Sequence, residues 1–159
     1  MKNMTLALAL LMTALFLNCG GSSQQNGQQD GQQDSQATEQ PPSYPSIPMA
    51  TVQMLFEKCD YIDYLFYYTN FSVSQKTKAD IQQAISHIAA EPPVIHPDCK
   101  PIGRVFYQAE GKSLLEADLY FDENCIYFLF MEDGKPAYAN RMMPNGIAFF
   151  NQIMQHAKQ

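Results

Sequence analysis

The sequence predicts an α+β domain over residues 49–159: two N-terminal helices, an antiparallel meander of three to four strands and a C-terminal helix, packed as a helix layer on a sheet. Three observations predict it. Apolar residues recur at helical spacing up to about residue 90, the period falls to two from Gly103, and helical spacing returns after Pro144. About 110 residues are enough to enclose one hydrophobic core.

Each element follows from a local pattern. Val52, Leu55, Phe56, Cys59, Ile62, Leu65 and Phe66 predict a helix over 50–68. Thr77 with Asp80 three residues on resembles a capping box, and it precedes Ile81, Ala84, Ile85 and Ile88, a second amphipathic helix. Glu91-Pro92-Pro93 ends it, because proline forces the preceding residue out of the helical region. Gly103–Ala109, Ser113–Phe121 and Cys125–Met131 alternate as strands do, with turns expected at Glu110-Gly111-Lys112 and Asp122-Glu123-Asn124. Asp133-Gly134 predicts a hairpin into Lys135–Asn140. Pro144-Asn145-Gly146 opens a last helix carrying Ile147, Phe150, Ile153, Met154 and Ala157. The order resembles that of small α-α-β-β-β envelope lipoproteins, as an analogy of element order alone.

The N-terminus has a different character. Lys2 is followed by an apolar run from Thr5 to Leu17, the n-region and h-region of an export signal and too short for a bilayer span. Leu15-Phe16-Leu17-Asn18-Cys19-Gly20 then resembles the lipobox of bacterial lipoproteins. That resemblance implies cleavage after residue 18, acyl chains on Cys19, and a protein lipid-anchored to a membrane of the bacterial cell envelope. Gly20 in place of Asp after the cysteine implies the outer membrane under the sorting rule of one bacterial group. Two or three acyl chains anchor stably where one holds only marginally. Cleavage after Gly21, releasing a soluble exported protein, is the competing expectation.

Residues 19–48 are expected to form a disordered tether. The unit GQQD occurs twice, at 27–30 and 31–34, and the stretch has almost no large apolar side chain to offset the entropy of ordering. As a flexible coil, the 29 residues after Cys19 would span roughly 30 Å. Pro41–Pro48 is expected as a stiffer spacer.

Charge and cysteines narrow the function classes. From residue 49 on, 9 basic residues face 13 acidic ones, net −4, with no basic stripe, so nucleic acid is not an expected partner. Beyond Cys19 the chain holds Cys59, Cys99 and Cys125, an odd number that leaves one pair and a free thiol, or no pair. Cys59 and Cys99 are the candidate disulfide; it would be worth about 4 kcal/mol in the chain-entropy model. Spacing alone does not choose among the three pairs, and three buried thiols are the other reading.

No spacing points to a catalytic residue, a metal or another cofactor. His96-Pro97-Asp98-Cys99 offers ligand types, but its extended course turns Cys99 away from His96 and Asp98. Met142-Met143 with His156 offers soft ligands but is expected to be packing. A protein partner is expected instead. If a three-residue turn pairs Phe121 with Cys125, one sheet face presents Glu116, Asp118, Tyr120, Ile126, Phe128 and Phe130, an acidic and aromatic surface suited to docking. A two-residue turn would shift the register and flip the faces. The expected function is therefore a membrane-anchored, non-enzymatic accessory or protein-interaction domain. The alternative is an exported binding protein for a small apolar or peptide ligand.

Overall fold

A computed structural model describes residues 42–156, so the signal segment, Cys19, the tether up to residue 41 and Ala157 lie outside the described residues. The domain is α+β, with three helices and one open antiparallel sheet of six strands. The elements are α1 (Met49–Lys58), β1 (Tyr61–Phe66), β2 (Ser72–Gln75), α2 (Lys78–Ile85), β3 (Gly103–Ala109), β4 (Lys112–Asp122), β5 (Cys125–Glu132), β6 (Lys135–Arg141) and α3 (Pro144–His156). The sheet order is β2-β1-β3-β4-β5-β6.

The four strands expected after residue 103 are all present, as are the second and last helices. The first helix is half as long as expected. It stops at Lys58, where the Lys78 ammonium donates to the carbonyls of Phe56 and Glu57 at 2.6 and 3.0 Å and satisfies the open end. The chain then runs as β1. Ile62, Leu65 and Phe66 fit a helical stripe, but Ile62, Tyr64 and Phe66 are buried while Tyr61, Asp63 and Leu65 face away, which is period two. A segment aromatic on every side suits a strand with two occupied faces. The short β2, Ser-Val-Ser-Gln, pairs with β1 and was not expected.

All three helices contribute to one core on one face of the sheet. Leu55 of α1, Ile81, Ala84 and Ile85 of α2, and Phe150 of α3 meet Ile62, Tyr64, Val105, Tyr107, Ala117, Leu119, Phe128 and Phe130. Phe150 is its hub, with ring centroids 5.5 Å from Tyr64, 5.6 Å from Phe121 and 6.3 Å from Phe128. Two glycines permit close approach. A Cβ on Gly103 would collide with the Leu65 carbonyl oxygen, and one on Gly146 would stand 2.8 Å from the His87 Cβ.

Part of the expected spacer belongs to the domain. Ile47 is buried, the Pro45 carbonyl accepts from the Ala139 N–H at 2.9 Å, and Ser46 Oγ donates to the Ala90 carbonyl. Buried Asn140 clamps this entry segment: its Oδ1 accepts from the Ile47 N–H at 2.8 Å and its Nδ2 donates to the Ala89 carbonyl at 2.7 Å. Proline removes donors but not acceptors, so a Pro-rich segment can still lie along an edge strand.

His87 follows α2 and is 1% exposed, with neither ring nitrogen hydrogen-bonded. Its ring lies 5.2 Å from that of Phe149, and it borders a cavity of about 100 Å³ with Gln75, Asp80 and Gln83. Burial lowers its pKa from 6.5 to about 4. The unfolded chain therefore binds a proton that the folded one refuses, and stability is lost as pH falls from 6.5 towards 4. The expected loss from this group is about 2 kcal/mol at pH 4.5. Urea titrations at pH 7 and 4.5 check it: His87→Leu removes that part of the pH dependence, and an identical slope in both proteins would assign the acid sensitivity elsewhere.

Candidate functional site

The outer face of the sheet, away from the helices, is built in rows by the pairing register. One row runs Leu65, Arg104, Asp118, Leu129, Ala139 across five strands, and the next runs Asp63, Phe106, Glu116, Met131. Tyr120 and Tyr127 begin a third row and stack at 4.3 Å with 16° between their planes.

This face divides into two halves. Over β5 and β6 it is covered by the chain itself: Ile95 packs with Tyr127, Leu129 and Ala139, joined by Tyr44, Cys99, Tyr120 and Cys125. The cover is an extended strap, held to β6 by the Arg141 N–H donating to the Glu91 carbonyl at 2.9 Å. A disulfide between Cys99 and Cys125 fixes its far end to the start of β5. This corrects the expected Cys59–Cys99 pair. Cys59 ends α1 on the core side, 1% exposed, where its thiol donates to the Tyr61 carbonyl and burial raises its pKa.

Over β1, β3 and β4 the face is open. Leu65 is 46% exposed and Tyr67 44%. Between them and β4 lies an ion-pair network. Arg104 Nε and Nη2 reach Asp118 Oδ1 at 2.9 and 2.8 Å, and Nη1 reaches Glu116 Oε2 at 3.4 Å. Burial opposes the charge on Arg104, but the hydrogen bond and charge of Asp118 outweigh it and hold the guanidinium pKa above its ordinary value. The Tyr67 hydroxyl donates to Asp118 at 3.3 Å; burial, then the Asp118 charge, raises that phenol's pKa. Asp63 accepts from Ser74 Oγ at 3.0 Å, which in turn accepts from the Tyr61 hydroxyl. Arg104 thus pairs with two of the three carboxylates on this face, Asp63 being held by Ser74 instead, and with the Lys76 ammonium 5.6 Å from the Tyr61 ring at its margin the excess is one negative charge.

The six residues expected as a docking surface are split. Glu116, Asp118 and Tyr120 lie on the outer face, whereas Phe128 and Phe130 are buried in the core and Ile126 is partly buried against it. The cause is the two-residue turn at Glu123-Asn124, which pairs Asp122 with Cys125 and so Leu119 with Phe128. Arg104 and Phe106 were legible in the alternation of Gly103–Ala109; Asp63 and Leu65 were hidden by the helical reading of Tyr61–Phe66. Among the described residues no three His, Cys, Asp or Glu side chains come together as a metal site requires.

No protein-family model matches the chain, and neither a curated protein nor a solved structure is significantly similar to it.

The disulfide closes a loop across a sequence separation of 26, worth about 3.5 kcal/mol in the chain-entropy model. The Cys99→Ser, Cys125→Ser double variant should lose about that much in urea unfolding. It should also gain protease cleavage near Pro93–Asp98 before the core opens. Unchanged stability with an intact strap would show that Ile95 and Glu91 hold it alone.

Proposed function

We propose that this chain is a lipoprotein of the bacterial cell envelope, anchored through acyl chains on Cys19 and acting by binding a protein partner through its folded domain rather than by catalysis. The Cys99–Cys125 disulfide carries the export reading, because such bonds form and persist in oxidising compartments and are rare in the cytosol. It also clarifies the cysteine count: two are bonded, Cys59 is in the core, and neither arrangement competes for the role the N-terminal pattern gives Cys19. The binding role is supported by the open half of the outer face, where Leu65 and Tyr67 stay exposed beside three carboxylates. The space between helices and sheet, where an apolar ligand would sit on the alternative reading, is filled by Leu55, Ile81, Tyr64, Tyr107 and Phe150.

The full-length chain expressed in a bacterium fed a clickable fatty acid should carry label, and Cys19→Ala should carry none. An unlabelled wild type whose mature mass begins near Ser22 would overturn the anchor and leave a soluble exported protein.

A further inference from the structure

The two halves of the outer face differ in what covers them. Over β5 and β6 the chain lays its own extended segments, and their contribution is apolar: Tyr44 and Ile95 against Tyr127, Leu129 and Ala139. Over β1, β3 and β4 the same register offers a comparable apolar set, Leu65 and Phe106 with Met131 beside Glu116 at the uncovered end of β5, and with Tyr61 and Tyr67 at its margins. What distinguishes this half is charge. Of its three carboxylates Arg104 pairs with Glu116 and Asp118, and Asp63 is left to the Ser74 hydroxyl, so the surface keeps an excess of negative charge among apolar groups even with the Lys76 ammonium over Tyr61 at its margin.

Taking the domain to be a binding module, we propose that the open half, centred on Leu65, Arg104 and Glu116, docks an extended segment of a partner protein that alternates lysine or arginine with apolar or aromatic residues. Apolar side chains of that segment cover Leu65 and Phe106, and its cations meet Asp63, which Arg104 does not reach, and Glu116, which it reaches only at 3.4 Å. An extended occupant matches the way the adjoining half is covered, and its period of two turns one set of side chains to the sheet. A second copy of this chain is a poor occupant, since two such faces would bring like charges together.

The probe is an octapeptide alternating lysine with leucine and tyrosine, beside versions with serine or glutamate at the lysine positions. Each is titrated by fluorescence anisotropy against the mature chain carrying Cys19→Ser, which removes acylation and leaves every described residue in place. The lysine peptide should bind at least tenfold tighter than the serine version, and more weakly as salt is raised. Leu65→Ser, and separately the Asp63→Lys, Glu116→Lys pair, should each weaken it at least tenfold. The Glu91→Lys, Glu123→Lys pair makes the same change of net charge on the strap and the β4–β5 turn and should stay within twofold. Melting temperatures confirm that each variant is folded.

Equal weakening by both charge-reversed pairs would reduce the effect to net charge and overturn the surface. Equal affinity for all three peptides would keep a binding face and overturn its cationic partner. No binding by a folded wild type would overturn the docking site, as would sedimentation showing dimers that Leu65→Ser disperses. Fatty-acid labelling of Cys19 is scored separately, so an acylated chain that fails these titrations leaves the anchor standing and removes only the surface.

Discussion

One residue of register between β4 and β5 decides what the rest of the domain can be. Pairing Asp122 with Cys125 turns Phe128 and Phe130 towards the helices and Tyr127 and Leu129 towards the strap. A slip of one position would exchange those sets, because strand side chains alternate faces. Phe150 would lose the Phe128 ring, one of those that make it the hub of the core. The strap would lose its apolar floor, and Cys125 its place beside Cys99. Turn chemistry at Glu123-Asn124 alone does not enforce this choice; the sum of packing on both faces does.

The legibility of the fold follows the same logic. β3 to β6 alternate cleanly and are bounded by turn residues, two of the turns having both central residues at positive φ: Glu110-Gly111 and Asp133-Gly134. α2 and α3 have clear stripes, and Thr77 does cap α2 by accepting from the Asp80 N–H at 3.2 Å. β1 was not legible, because Tyr61–Phe66 satisfies both periods and only the location of its partner strands decides between them. β2 has four residues and one apolar side chain, too little signal to register. The docking face inherited both difficulties: Glu116 and Asp118 were on the right strand, while their neighbours across the sheet depended on β1 and on a turn length that sequence spacing leaves open.

The cysteines show how contacts distant in sequence resolve what composition cannot. Three thiols in one domain allow three pairings. Cys59 is removed from the choice by α1, which ends on the core side of the sheet, whereas Cys99 rides on the strap over the opposite face. Only Cys125, at the mouth of the β4–β5 hairpin, lies on the strap's path, with its Cα 5.8 Å from that of Cys99. The sheet therefore acts as a partition that keeps the thiol and the disulfide apart.

The Arg104 network contributes more to the character of the surface than to stability. Arg104 and Glu116 are about one-third exposed, and pairs of that kind contribute roughly 0–1 kcal/mol. Asp118 is more sheltered, at 13%, so removing Arg104 would leave one carboxylate partly desolvated, a modest cost set by its hydrogen bonds. Apolar residues at these three positions would hold the sheet equally well, but they would join Leu65, Phe106 and Met131 into one continuous apolar face. Such a face on an open sheet would associate with any similar surface. Carboxylates in its centre exclude like-charged faces, a second copy of the domain included, while leaving the apolar groups exposed to a segment that brings the opposite charge. In the proposed binding role, the carboxylates that oppose pairing with a like-charged face are also what makes the open half of the outer face selective.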